Sequence, residues 1–137
     1  MNVLPTMDPG QQLSQTLKIS MTEQKAFLEL SGDTNPIHND LAFAKASGFE
    51  KPVVYGGILI AKISGFLGTV FPGRGCIWTK LKVDFKSPLY VDEMATLRFT
   101  CTYGNPELGI WELGFEIASD TAVIIAKGSV QVSRRGP

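Results

Sequence analysis

The chain of 137 residues contains little cysteine, little histidine and no excess charge of either sign. Two isolated cysteines, Cys76 and Cys101, and the single histidine, His38, are too few to form a common structural zinc site within one chain. The cysteines are expected to be reduced, buried thiols, with a disulfide between them as the alternative. Thirteen basic and thirteen acidic residues cancel, so no basic excess is available for binding a nucleic-acid backbone.

The N-terminal end lacks basic residues and a long apolar run. Residues 1–12 contain no Lys or Arg, so a secretory signal is not predicted and a cytoplasmic location is expected. Residues 53–71 are the one stretch that resembles a membrane span, with Lys62 as its only charge. Lysine at the centre of a bilayer costs about 2.5–3.5 kcal/mol, so a helix buried inside a globular domain is predicted instead.

The remaining composition is typical of one globular domain. Hydrophobic residues make up 44% of the chain and charged residues 19%, whereas disordered chains combine low hydrophobicity with high net charge. Pro5 and Pro9 indicate a loose N-terminal arm over residues 1–12, and residues 13–133 are predicted to form a single domain.

Hydrophobic periodicity predicts the order of helices and strands. Ser20 and Glu23 fit a capping box that starts an amphipathic helix. Before residue 72 the pattern predicts a weak strand over 12–19 and helices over 20–30, 39–46 and 55–70. Period-two alternation predicts strands over 77–85, 95–103, 110–117 and 122–132. Only the helix over 55–70 is large enough to cover the sheet, which predicts an α+β hot-dog fold: a curved antiparallel sheet wrapped around one long central helix.

One turn combines an acid with the only histidine. His38 lies five residues after Asp33, and Pro36 between them fixes one backbone angle and biases Asn35 away from helix. An acid and an imidazole aimed at one point form a general acid–base pair. The alternative is a turn aspartate that caps the next helix, beside a solvated histidine. Asp40 favours the dipole of that next helix, which is a purely structural role.

Tyr55, Gly56 and Gly57 stand at the start of the long helix. Glycines leave backbone N–H groups open to approach, and a helix N-terminus favours developing negative charge. This position is therefore a candidate oxyanion site, unless the glycines only let the chain enter the helix beneath the sheet.

Further along this helix, Ser64 either bonds back to the preceding turn or lines a pocket. Gly65 and Gly68 each cost about 1 kcal/mol of helix stability, which close packing on the sheet or space for a ligand would offset. Opposite the apolar side of the next strand lie three lysines, Lys80, Lys82 and Lys86. They indicate a solvated face, and the alternative is that they bind a phosphate-bearing ligand.

Several segments carry a resemblance to a known family. They are 31–40 (Ser-Gly-Asp-Thr-Asn-Pro-Ile-His-Asn-Asp), 52–56 (Pro-Val-Val-Tyr-Gly), 64–68 (Ser-Gly-Phe-Leu-Gly), 72–75 (Pro-Gly-Arg-Gly) and 81–88 (Leu-Lys-Val-Asp-Phe-Lys-Ser-Pro). Over roughly residues 15–132 the chain resembles the MaoC-like hydratases, and among them the short single-domain (R)-specific enoyl-CoA hydratases. The resemblance implies a hot-dog fold and one hydratase domain over residues 13–133.

The resemblance also implies roles for individual residues. The positions carried over are the catalytic pair Asp33 and His38, the oxyanion glycine Gly56, the pocket serine Ser64, and the motif residues Asn35 and Asp40. Two departures stand beside Gly56: Tyr55 replaces the usual histidine and Gly57 replaces the frequent methionine. They affect the hydrogen bonding near the oxyanion site and the width of the substrate pocket.

The implied activity is the reversible syn hydration of trans-2-enoyl thioesters to (R)-3-hydroxyacyl thioesters. No metal or other cofactor is expected, since coenzyme A or phosphopantetheine enters as part of the substrate. The alternatives are a dehydratase for carrier-protein-bound acyl groups, a hot-dog thioesterase, and a non-catalytic acyl-thioester binding protein. The exposed edge and concave face of a single sheet predict a homodimer with two sites near its interface. Neither a nucleic-acid partner nor a membrane span is expected.

Overall fold

The predicted hot-dog architecture is confirmed in the structure, a computed structural model that describes residues 4–137. Its elements are β1 (Gln12–Lys18), α1 (Met21–Ser31), a 3-10 turn (Pro36–His38), α2 (Leu41–Ala46), α3 (Gly56–Thr69), β2 (Cys76–Phe85), β3 (Met94–Asn105), β4 (Ile110–Ser119) and β5 (Ile124–Arg134). The five strands form one antiparallel sheet, and α3 is the long apolar helix that the sheet covers.

The order of strands in the sheet is β1-β3-β4-β5-β2, so β1 and β2 are its two edges. β2 does not pair with the next strand in sequence; it crosses over to β5, where Val83 lies opposite Gly128. A Cβ atom on Gly128 would lie 1.8 Å from the carbonyl oxygen of Lys82. Glycine is therefore required for β2 to approach β5 at this point of the curved sheet.

The core lies between α3 and the inner face of the sheet. Phe66 of α3 stacks on Phe99 of β3, with ring centroids 4.6 Å apart. Large, fully buried side chains of α3, of the residues just after it, and of β3 and β4 complete this part of the core: Ile63, Leu67, Phe71, Leu97, Trp111, Leu113 and Ile117. Burial of each such side chain contributes about 1.5–3 kcal/mol, so this packing holds α3 against the sheet.

The prediction that residues 53–71 lie inside a globular domain is confirmed. Within residues 4–137, no helix is long and apolar enough to span a membrane. Both cysteines are free thiols: Cys101 is buried and Cys76 is half-buried. Burial raises the pKa of each thiol above its ordinary value.

The N-terminal segment is held more firmly than a loose arm from Met7 onwards. Met7 is only 3% exposed and belongs to the core. The Gly10 N–H donates to the Cys101 carbonyl oxygen at 2.9 Å, and the Cys101 N–H donates to Gln11 at the same distance. Residues 1–3 of the predicted arm lie outside the described residues.

The apolar side of β2 is a second difference from the sequence pattern. The alternation correctly predicts a strand, yet Ile77 is 50% exposed and Phe85 is 51% exposed. β2 is an edge strand with a bulge between Trp78 and Lys80, and within residues 4–137 the side chains of Ile77 and Phe85 stay about half exposed.

Gly65 and Gly68 lie on the exposed side of α3, and a Cβ atom at either position would meet nothing within 4 Å. Close packing on the sheet therefore does not explain them.

Candidate active site

The loop after α1 is built from short side-chain caps. Asp33 Oδ1 accepts from the Asn35 N–H at 3.0 Å, and Asn35 Oδ1 accepts from the Ile37 N–H at 3.2 Å. Asp40 is the N-cap of α2, where its Oδ1 accepts from the Phe43 N–H at 3.0 Å. The bonds to Asp33 and Asn35 fix the turn before His38, and the bond to Asp40 fixes the start of α2.

His38 is held by one backbone carbonyl. Its Nδ1 lies 2.6 Å from the Val53 oxygen. A carbonyl oxygen only accepts hydrogen bonds, so the Nδ1 atom of the ring carries the proton. Among the described residues Nε2 has no partner, and in the neutral ring it is the nitrogen with a free lone pair. The imidazole is thus oriented with a base available for a ligand.

Tyr55 lies behind His38 and connects it to Asp33. The Tyr55 ring is 1% exposed and stacks on the His38 ring, with centroids 3.9 Å apart. Its hydroxyl donates to the Asp33 carbonyl oxygen at 2.5 Å and accepts from Asn39 Nδ2 at 2.9 Å. The sequence analysis placed Tyr55 among the substrate-binding residues. In the structure its side chain lies in the interior and supports both members of the predicted catalytic pair.

Gln24, which the sequence analysis did not single out, is at the centre of the same region. It is 0% exposed on α1, and its Nε2 donates to the carbonyl oxygens of His38 (2.8 Å) and Val53 (3.1 Å). Its Oε1 accepts from the Tyr55 N–H at 3.1 Å. One sequence signal existed: Gln24 precedes Phe27 and Leu28 at helical spacing and therefore lies on the inner face of α1.

Gly56 and Gly57 occupy the first turn of α3, as predicted. In the described part of the chain no acceptor is bonded to the Gly56 N–H, which leaves this donor at the positive end of the helix. A Cβ atom on Gly56 would lie 3.0 Å from Cζ of Phe85, and one on Gly57 would lie 2.2 Å from Cζ of Phe27. Gly57 therefore makes room for the Phe27 ring, while the tip of Phe85 lies over Gly56.

His38 and Gly56 line one cavity of about 450 Å³. Lys86 and Ser87 are the polar residues among the rest of its lining. The other lining residues are apolar: Ile37, Phe49, Val53, Val54, Leu59, Phe85, Pro88, Leu89 and Ile125. A volume in this range and an apolar lining suit a small organic ligand with an aliphatic part. Lys86 supplies a positive charge for an anionic group.

The other predicted residues lie outside the lining of this cavity. The carboxylate of Asp33 is exposed on the neighbouring loop, and only the backbone carbonyl of Asp33 is bonded to the Tyr55 hydroxyl. Ser64 is exposed on the outer side of α3, two turns beyond Gly56. Lys80 and Lys82 are also exposed, as expected for a solvated face.

The electrostatics around α1 and α3 are set by one ion pair. Lys62 of α3 pairs with Glu23 of α1, whose carboxylate also accepts from the Ser20 N–H. The bond from Lys62 lowers the pKa of the Glu23 carboxyl below its ordinary value.

Over residues 4–137 no group of three or more His, Cys, Asp or Glu side chains is arranged to hold a metal ion.

Comparison with known proteins gives one consistent family. The profile described as "MaoC like domain" matches residues 5–107. The (R)-specific enoyl-CoA hydratase of Aeromonas caviae is 36% identical over 127 residues, which cover 93% of this chain and 95% of the relative. The enzyme of the same name from Rhodospirillum rubrum is 34% identical over 98 residues, which cover 72% and 68% of the two chains.

Solved structures agree with the sequence comparison. The (R)-hydratase of A. caviae involved in PHA biosynthesis superposes with a TM-score of 0.88 at 31% identity, covering 95% of this chain and 98% of that one. The R-hydratase PhaJ1 of Pseudomonas aeruginosa superposes with a TM-score of 0.87 at 22% identity, covering 96% and 84%, which shows a common fold.

Proposed function

The chain belongs to the MaoC-like domain family, and from this premise we propose that it is a hydro-lyase that hydrates trans-2-enoyl-CoA thioesters to (R)-3-hydroxyacyl-CoA. The observation that carries the proposal is the pairing of His38 and Gly56 in one apolar cavity. His38 offers an oriented base there, and Gly56 offers an N–H at the start of a helix. The reverse reaction, dehydration, uses the same groups.

The chemistry follows from the polarity of the substrate. Conjugation with the thioester makes C3 electrophilic, and water adds there while a proton is delivered to C2. We assign these two protons to His38, which lines the cavity, and to Asp33 on the neighbouring loop, and transfer of both from one side of the substrate gives syn addition. Negative charge grows on the thioester oxygen during addition, where the Gly56 N–H and the positive end of α3 stabilise it. This stabilisation is stronger in the transition state than in the ground state, as catalysis requires.

The direct test is hydration of crotonyl-CoA, followed by loss of the enoyl absorbance and by the configuration of the product. We expect the wild type to form (R)-3-hydroxybutyryl-CoA, and Asp33→Asn and His38→Ala to lose about 100- to 10,000-fold in rate. Asp120→Asn is the matched control, because Asp120 is exposed in the turn between β4 and β5. Its rate is expected to equal that of the wild type.

Two results would contradict the proposal. Release of free thiol without prior loss of the enoyl group indicates a thioesterase. Binding of the thioester without either reaction, for coenzyme A and carrier-protein substrates alike, indicates a binding protein. A comparison of crotonyl-CoA with a crotonyl carrier protein decides between the two thioester carriers.

We also propose that the enzyme is a homodimer formed along β2. The exposed apolar residues Ile77, Leu81 and Phe85 lie on the unpaired edge strand, where a second copy would cover them.

Sedimentation or light scattering of the wild type measures the oligomeric state. Leu81→Glu on β2 is expected to yield monomers with reduced hydratase activity. Leu108→Glu is the control, since Leu108 is 67% exposed in the turn between β3 and β4. A wild type that is monomeric and fully active would show that the exposed side of β2 needs no second copy.

A further inference from the structure

Gln24 is an unusual residue for its position. It is fully buried on the face of α1 that also carries the half-buried Phe27 and Leu28. An apolar side chain would fill this space without the cost of removing an amide from water. The amide of Gln24 offsets that cost with three hydrogen bonds, none of which is to its own helix.

All three bonds go to backbone groups of the candidate site. Nε2 donates to the carbonyl oxygen of His38 at 2.8 Å and to that of Val53 at 3.1 Å. The Val53 oxygen also accepts from His38 Nδ1 at 2.6 Å. Gln24 therefore holds both the main chain of His38 and the carbonyl that orients its ring.

The third bond reaches the oxyanion side of the cavity. Gln24 Oε1 accepts from the N–H of Tyr55, the residue directly before Gly56. One buried amide thus fixes three segments relative to one another: the 3-10 turn, residues 53–54 and the start of α3. The acid–base side chain and the oxyanion N–H sit on the first and the last of these segments.

We propose that Gln24 is the positioning residue of the active site, which keeps His38 in the tautomer with hydrogen on Nδ1 and sets its distance from the Gly56 N–H. The inference rests on the proposed hydratase function for the consequence in catalysis. Without the Gln24 donor, the Val53 carbonyl loses one of the two hydrogen bonds that fix its direction. The acceptor of the His38 ring is then held less firmly, and the tautomer with hydrogen on Nε2 becomes populated beside the one with hydrogen on Nδ1.

The single histidine makes the tautomer directly measurable. Imidazole ¹⁵N signals of the protein come from His38 alone, so a two-bond ¹H–¹⁵N spectrum at a pH where the ring is neutral reports its tautomer. We expect Nδ1–H in the wild type and a mixture of tautomers in Gln24→Met. The kcat for crotonyl-CoA is expected to fall by about 10- to 100-fold in Gln24→Met, with KM changed much less.

Gln15→Met is the matched control, because Gln15 is an exposed glutamine on β1 and the same substitution leaves the site untouched. It is expected to preserve both the His38 tautomer and kcat. If Gln24→Met does not fold, Gln24→Glu keeps the shape and the acceptor for the Tyr55 N–H but loses the amide N–H donors to the His38 and Val53 carbonyl oxygens. The same changes in tautomer and kcat are expected for it.

Two outcomes overturn the proposal. One is a wild type whose neutral His38 carries hydrogen on Nε2. The other is a Gln24 variant with a lower melting temperature but an unchanged tautomer and kcat, which is the result for a purely structural glutamine. Failure of the proposed function is recognised separately, since an inactive wild type still gives the tautomer spectra of the wild type and the variants.

Discussion

Replacement of Tyr55 by phenylalanine removes one oxygen atom from behind the active site. The ring contacts with His38 and Phe27, at centroid distances of 3.9 and 4.8 Å, are retained in the variant. Only two hydrogen bonds are lost, one to the Asp33 carbonyl and one from the Asn39 amide. Tyr55→Phe therefore separates the hydrogen bonds of the tyrosine from its packing.

The cost in stability comes mainly from Asn39. The carbonyl of Asp33 is on an exposed loop residue, so water can replace its lost partner. Asn39 is half-buried, and among the described residues its Oδ1 already has no hydrogen-bond partner. A buried polar group without a partner costs about 1–3 kcal/mol, and Tyr55→Phe is expected to lower the free energy of unfolding by this amount.

A second substitution tests this assignment. Replacing both partners of a buried hydrogen bond by apolar groups of similar shape is nearly neutral. Tyr55→Phe/Asn39→Leu is therefore expected to recover most of the stability that Tyr55→Phe loses. Activity is expected to behave differently, because the double variant does not restore the bond to Asp33. Both variants should keep a kcat about 10-fold or more below that of the wild type.

Urea unfolding and initial rates on crotonyl-CoA measure the two effects. The reasoning fails if Tyr55→Phe is as stable as the wild type, or if the double variant is less stable than either single variant. It also fails if kcat recovers together with stability, since the bond to Asp33 would then have no role in positioning the carboxylate.

Three further outcomes are expected from the packing. Gly57→Ala should lower the free energy of unfolding by about 1–3 kcal/mol, because the new Cβ atom overlaps the Phe27 ring. In a Phe27→Leu background the overlap is relieved and the loss should be smaller, so an equal loss in the two backgrounds would contradict this reasoning. Lys62→Met should cost about 0.2–1 kcal/mol at neutral pH. Lys62 lowers the pKa of the Glu23 carboxyl below its ordinary value, so the stability difference between wild type and Lys62→Met should be full at neutral pH. It should vanish in acid, where the carboxylate becomes protonated. A stability difference that is independent of pH would refute the ion pair. Gly68→Ala should raise the stability by about 0.5–1 kcal/mol, whereas a loss would show that another molecule covers this side of α3 in solution.

The fold was predictable from the sequence where the pattern is local. The capping box at Ser20 and Glu23 begins α1, and period-two alternation locates each long strand within a few residues. The position of β2 beside β5 was not predictable, because strand order depends on contacts between distant segments. The same reason explains why the alternation in β2 did not reveal which of its sides the chain leaves uncovered.

The candidate site divides in the same way. The Asp33–His38 turn and the glycines of α3 are short motifs that are compatible with acid–base and oxyanion chemistry, and the resemblance to the MaoC-like hydratases is what favours these roles over purely structural ones. Gln24 is different, because its spacing to Phe27 and Leu28 indicates only the inner face of α1 and not the groups that its amide binds. Its role depends on three backbone groups, at residues 38, 53 and 55, that only the folded chain brings together.

The two departures from the family pattern beside Gly56 have one structural explanation. With no side chain at Gly57, the ring of Phe27 occupies the space that a Cβ atom would need. Phe27 packs on Tyr55, and Tyr55 in turn stacks on His38. The two departures therefore act together: Gly57 makes room for Phe27, and the stacked rings of Phe27 and Tyr55 support His38 from the interior. Since neither Tyr55 nor Gly57 lines the cavity, the two departures alter how His38 is held, and the width of the cavity depends on its own lining residues, such as Phe85.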